Sequence, residues 1–305
     1  MPDWDAEVRV DEALARRLIA EQFPELDMGK LRLLGEGWDT IVWLVDGRWV
    51  FRYPRRAMVI SGLELEMRYL PELADRLPLP IPRPMLFGEP SDAYRWPFYG
   101  APFVPGRELA DTQLDDKARI ALGRSLGEFL RALHSLEPYA GLPVDPVHRA
   151  DMDVRVPHTR QRFDELEQAG LWTAPAAAYE IVAAAAELGP PEPTAIVHGD
   201  FHLRHLLVDD EGRASAVIDW IDLSRNDPGV DLASTGRSCR RKEEPSFARR
   251  TASRPRRSFS ADASCRSSCA PCSRCGASTR GSTASSARRS PASSERSSTN
   301  RRRPS

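Results

Sequence analysis

Apolar positions recur along the chain in two rhythms, and the changes of rhythm mark the elements. Val8, Val10, Ala13, Leu14, Leu18, Ile19 and Phe23 repeat at helical spacing, which predicts a helix over 8–23 closed by Pro24. Runs rich in β-branched and aromatic residues follow. Residues 31–34 and 40–45 flank a loop carrying Gly35 and Gly37, and Asp46-Gly47 turns the second run into a third at 48–52. A helix is predicted over 61–76. Residues 78–106 are proline-rich and read as extended backbone, a hairpin and a last strand near 98–104.

The middle of the chain is helical. Residues 114–136 give the clearest helix: Leu122, Leu126, Phe129, Leu130 and Leu133 form one stripe, and Asp115 and Asp116 suit its N-terminus. His134 lies beside that stripe and reads as a packed core histidine. Helices are also predicted over 158–169 and 175–188. Three short apolar runs then appear at 195–197, 206–208 and 216–218. The last two flank Asp209-Asp210-Glu211-Gly212, the signature of a β-hairpin. The acids Asp200 and Asp219 fall at the ends of these runs, on irregular backbone where catalytic groups are commonly carried.

From about Thr235 the pattern stops. Ser, Arg, Ala, Pro and Cys replace the apolar periodicity, so the segment lacks the apolar surface to offset chain entropy and is expected to be disordered. All five cysteines lie there. Cys269-x-x-Cys272-x-x-Cys275 has a metal-site spacing, but a metal site needs folded neighbours and this composition supplies none. Residues 236–305 carry 18 Lys+Arg against 4 Asp+Glu, leaving 25 against 40 in the remainder. The expected folded part is therefore acidic, which suits a cationic substrate, and the tail is basic. Nothing approaches the roughly 20 apolar residues that span a membrane, and the acidic N-terminus lacks an apolar leader. A cytoplasmic protein without a membrane partner is expected.

His198-Gly199-Asp200, His205 five residues on, and then Ile218-Asp219-Trp220 resemble the catalytic core of the aminoglycoside and macrolide phosphotransferase family. That family is similar to protein kinases, whose H-R-D-x-x-x-x-N and D-F-G occupy the same slots. The resemblance covers residues ~10–234. It implies an α+β, protein-kinase-like bilobed fold: an antiparallel N-lobe sheet plus helix over 1–104, a largely helical C-lobe over 105–234, and the tail at 235–305. The family continues with further C-lobe helices after a D-P-x-x-D-L run like Asp227–Leu232, so the tail reads as an out-of-frame translation. The runner-up is a genuine basic tail that binds nucleic acid or acidic surfaces.

The resemblance also implies roles. Asp200 would orient the acceptor hydroxyl and take its proton, and Asp219 and His205 would hold Mg2+. Gly35 and Gly37 would lie over the phosphates of ATP or GTP, where Arg52 replaces the usual lysine, with Glu66 as its partner and Glu64 as runner-up. The backbone of Ala101 and Phe103 would bond the base. His198 would brace the loop, and Asp231 would be structural. The expected activity is phosphoryl transfer to a hydroxyl of a small molecule, first an aminoglycoside or macrolide antibiotic. The alternatives are a nucleotide-binding pseudo-enzyme and a nucleic-acid binder acting through the tail.

Overall fold

A computed structural model of the chain describes residues 6–233, which all fall within one compact unit. The tail 235–305, its cysteines and its excess positive charge lie outside the described residues. Helix α1 (Glu12–Gln22) starts where the Asp11 side chain accepts from Leu14 N at 2.8 Å, four residues later than its apolar spacing predicts. It packs Leu18, Ile19 and Phe23 against a five-stranded antiparallel sheet. The strands are β1 (Leu31–Glu36), β2 (Thr40–Val45), β3 (Trp49–Pro54), β4 (Leu86–Gly88) and β5 (Phe98–Pro102), in the order β1-β2-β3-β5-β4. Phe51, Tyr53, Tyr94 and Phe98 fill this core, with Tyr53 stacked on Phe98 at 4.7 Å between ring centroids.

Helix α2 (Ile60–Leu73) joins the upper sheet to the lower half. Leu63 packs on Tyr99 and Ala101 of β5, whereas Tyr69, Leu70 and Leu73 enter the lower core with Leu126, Phe129, Leu130 and Trp220. Gly62 allows the closest approach. A Cβ there would lie 2.2 Å from Ile221 O, well inside van der Waals contact.

The lower half is built on α3 (Asp116–His134), capped by Asp115, and on the hairpin α4 (Met152–Gln168) and α5 (Ala176–Ala186). The sequence predicts the first of these helices from 158. The structure instead begins α4 at Met152, with the Asp151 side chain accepting from Asp153 N at 3.1 Å, and carries the helix through the proline. Two small sheets complete the fold. One pairs β7 (Ala195–Val197) with β10 (Ser224–Asn226); the other orders β6 (Arg107–Glu108), β8 (Leu206–Val208) and β9 (Ala214–Val217) as β6-β8-β9. The expected hairpin around Asp209–Gly212 is β8–β9. Helix α6 (Gly229–Leu232) closes the described chain. Among the described residues no helix is long and apolar enough to cross a membrane.

Candidate active site

The short strands β7, β8 and β9 are fully or largely buried, so their ends fix the loops that carry polar groups. His198 leaves β7 and is wholly buried. Its Nε2 donates to Ile218 O at 3.0 Å, and its Nδ1 accepts from Asp200 N at 3.3 Å. Burial depresses its basicity, so the ring stays neutral and ties the two acid-bearing loops together. Gly199 sits at φ +88, and a Cβ there would meet Asp222 O at 2.5 Å. Asp231 accepts from His198 N at 3.0 Å and Gly199 N at 2.9 Å, and pairs with His134 Nε2 at 2.9 Å. His134 is therefore a bonded partner of Asp231, a role that helical spacing did not show.

Asp200 and Asp219 meet at His205. His205 Nδ1 lies 2.9 Å from Asp200 O. A carbonyl oxygen only accepts, so Nδ1 carries a proton and the lone pair of a neutral ring is at Nε2. That Nε2 faces Asp219 Oδ2 at 3.2 Å, while Asp200 Oδ2 is 3.6 Å from Nδ1. Two acceptors face each other across the 3.2 Å gap unless a cation or a proton stands between them. Burial opposes a charge on His205, but its bond to Asp219 raises its pKa. Asp219 itself has φ +65, unusual for a non-glycine residue. Its other oxygen is paired with Arg52 Nη2. Burial opposes ionisation of Asp219, but Arg52 and His205 together hold its carboxyl well below the usual range.

Arg52 extends from β3 across the gap between the sheet and the lower loops. Its Nη1 is 3.5 Å from Glu66 Oε1, and its Nε has no hydrogen-bond partner among the described residues. Glu66 accepts from Trp220 N at 2.9 Å and from the Tyr99 hydroxyl at 3.1 Å. Burial pushes its carboxyl up to about 7, against the pull of Arg52. The runner-up, Glu64, is exposed on the same helix.

Above these groups lies the β1–β2 hairpin. Gly35 lies within β1, opposite Val42, and not in the loop where the glycine spacing put it. Gly37 forms the turn, donating to Thr40 O at 2.9 Å. A Cβ on Gly35 would meet nothing within 4 Å, so the protein's own packing does not require glycine there. Two arginines at the end of the β3 run hold the tip. Arg55 Nη1 donates to Gly37 O at 2.5 Å, and Arg56 Nε donates to Trp38 O at 3.1 Å with its guanidinium 4.2 Å from the Trp38 ring.

Ala101 pairs with Val50 in the sheet, and Phe103 N donates to Arg48 O at 2.8 Å. The Phe103 N–H is therefore already used inside the protein, because the pairing of β3 with β5 continues one residue past Pro102.

Sequence reasoning missed three contributors. Asp39 follows the glycine turn with a buried, unpartnered Oδ1, and burial and the Asp219 charge raise its carboxyl to about 6. Its signal was an acid two residues after Gly37. Arg149 bridges Asp145 at 3.0 Å and Asp222 at 2.9 Å, and nothing in the spacing marks it. His202 lies 3.3 Å from Asp200 Oδ2, with its ring 3.9 Å from that of His205. Burial and the neighbouring His205 keep its pKa low.

Known proteins resemble this chain in sequence and fold. A curated relative, the uncharacterized protein YcbJ of Bacillus subtilis (strain 168), is 25% identical over 208 residues, which are 60% of this chain and 61% of that protein. The chain thus spans less than two thirds of the length of that relative. The GDP and kanamycin complex of APH(2″)-IIIa superposes with a TM-score of 0.62 at 23% identity, covering 78% of this chain and 82% of that one. The macrolide 2′-phosphotransferase MphH from Brachybacterium faecium superposes with a TM-score of 0.59 at 27% identity over 79% and 83%. The model of the phosphotransferase enzyme family, APH, matches residues 30–263 and so runs past Ser234, where the apolar pattern fades. With the kinase-like lobes and the converging acids in place, the chain belongs to this phosphotransferase enzyme family.

Proposed function

We propose that the protein transfers the γ-phosphoryl group of ATP or GTP to a hydroxyl of a small molecule, with an aminoglycoside or a macrolide as the first acceptors to test. The observation that carries this reading is the shared His205, with Asp200 on one ring nitrogen and Asp219 on the other. Phosphoryl transfer needs positioning and charge neutralisation more than covalent help. Mg2+ bound with the nucleotide would supply the charge that neutralises the phosphates.

The donor set suits a divalent cation. His205 gives its Nδ1 proton to a carbonyl, the usual orientation of a ligating histidine, and presents Nε2 toward the Asp219 carboxylate. Asp219 and His205 would hold the metal. Arg52, with its unpartnered Nε, offers a donor for a phosphate oxygen as well as a counter-charge. Glu66 aims Arg52 and ties α2 to the backbone of Trp220. Gly35 and Gly37 leave space for phosphate under the hairpin, which Arg55 and Arg56 hold in shape. Asp200 orients the acceptor hydroxyl and receives its proton as the oxygen attacks phosphorus. The backbone of Ala101 and Phe103 would contact the base, through groups other than Phe103 N. Residues 1–104 and 105–234 act as the two lobes, in a cytoplasmic setting.

The test is turnover of the purified chain with ATP and with GTP, Mg2+ and a panel of kanamycin, streptomycin, gentamicin and a macrolide. Nucleoside diphosphate released in step with phosphorylated acceptor is expected. Nucleotide binding without phosphorylation of any hydroxyl would replace the reading with that of a pseudo-enzyme.

A further inference from the structure

His202 belongs to none of the roles above, yet it touches the group assigned as the base. Its two ring nitrogens have different partners, and these fix where its proton is. The backbone N–H of Arg204 points at His202 Nδ1 from 3.2 Å. An amide nitrogen only donates, so Nδ1 accepts, and in the neutral ring the single proton is on Nε2. That Nε2 lies 3.3 Å from Asp200 Oδ2. His205 is in the opposite tautomer, because its Nδ1 faces the Asp200 carbonyl. The two rings lie 3.9 Å apart at 31°, so each is held by the other as well as by backbone.

From this geometry we propose that His202 is a positioning residue for the base: its Nε2–H anchors Oδ2 of Asp200 and so presents Oδ1 to the acceptor hydroxyl. The proposal rests on the phosphotransferase reading given above and adds to it which oxygen works. Oδ2 is the oxygen that both histidines approach, and Oδ1 has no hydrogen bond or ion pair to any described residue. The side chain of Asp200 is 44% exposed, so without an anchor it would rotate freely between rotamers. In the reaction the acceptor O–H bond breaks and its proton passes to Oδ1. The acceptor oxygen bonds to phosphorus as the bond to the diphosphate leaving group breaks. His202 keeps its own proton throughout.

The same three side chains suggest a rival. Ligand atoms of Asp200, His202 and His205 lie within 4.8 Å of one another, a separation that a metal ion could bridge. Binding through His202 Nε2 would require the proton on Nδ1, directly against the Arg204 N–H, so the backbone disfavours it.

The experiment has one arm that needs no turnover. Long-range 1H–15N spectra of the histidine rings in the full chain, assigned with His202→Gln, report the tautomer. A protonated Nε2 and a bare Nδ1 on His202 are expected, unchanged when Mn2+-free Zn2+ or Mg2+ is added. A protonated Nδ1, or metal-induced loss of the Nε2 proton, overturns the proposal. The second arm is kinetic, with the acceptor from the panel that turns over fastest. His202→Phe keeps a ring against His205 but removes the donor, and should lower kcat by about tenfold or more, the size of a hydrogen bond to a charged group. The KM for nucleotide should stay unchanged. His202→Gln places an N–H near the position of Nε2 and should recover kcat to within about threefold of the parent. Equal losses in both variants, or a loss confined to nucleotide KM, would show His202 to be merely structural. If the parent chain phosphorylates nothing in the panel, the functional reading fails, and the spectra still decide the state of His202.

Discussion

Asp231 and Asp219 are the same residue type, lie twelve positions apart and both accept contacts from a histidine, yet their surroundings are opposites. Asp231 is completely buried; its oxygens receive two backbone N–H groups of the loop after β7 and His134 at the end of α3. Asp219 is one-third exposed at its side chain, and its partners are the side chains of Arg52 and His205. A carboxylate saturated by backbone holds a loop in place. A carboxylate held by side chains at a cleft can exchange one of those contacts for a bound cation. The difference sets a bracing acid apart from one open to a ligand, and the proposed roles of the two follow it.

The largest effects should come from exchanging these two acids for their amides. Asp219→Asn should lower kcat by about 10²–10³-fold while the thermal midpoint stays within a few degrees, as calorimetry on the same sample would show. Asp231→Asn should reverse the pattern, costing roughly 3–5 kcal/mol in denaturant unfolding because a buried ionic network loses its centre. Equal damage to stability in both variants would erase the contrast.

Gly62→Ala attacks the approach of α2 to the Asp219 loop. Its Cβ meets Ile221 O, so about 1–3 kcal/mol of stability should be lost, together with nucleotide affinity measured by calorimetric titration. A smaller effect concerns the metal. An imidazole ligand suits Mn2+ better than Mg2+, so the ratio of activity with Mn2+ to that with Mg2+ should fall roughly threefold or more in His205→Asn.

The smallest expected effect is a pH slope from Glu66. Its carboxyl is raised in the folded protein to about 7 from an ordinary value of 4.5. Folding therefore takes up a proton between those values. The contribution is full below pH 4.5 and is lost as pH rises toward 7, with a slope of at most about 1.4 kcal/mol per pH unit. Unfolding titrations of Glu66→Gln should lack this slope.

The outline of the molecule was readable because each element carried its own period. The strands at 31–54, the stripe of α3 and the β8–β9 hairpin follow from local alternation. The pair Arg52 and Glu66 was readable as chemistry, but only burial chose Glu66 over Glu64, since the sequence does not say which face of the helix meets the sheet. His134 shows the limit. Its place on an apolar stripe was visible, but its partner is 97 residues away. The tautomers were invisible too: that of His198 is fixed by Ile218 O from another loop, and those of His202 and His205 by Arg204 N and Asp200 O, whose directions depend on how their own loop folds. The bond from Phe103 N to Arg48 O was not legible either, because strand pairing, which sets the fate of that N–H, reaches one residue past the proline.

Helix α2 belongs to both cores at once, with Leu63 against β5 and Tyr69, Leu70 and Leu73 in the lower core. A hinge motion of the upper sheet would then roll over this helix like a lever on its bearing. Arg52 would travel with the lever and Glu66 would stay with the bearing, so the 3.5 Å contact between them becomes the gauge of how far the jaws have shut.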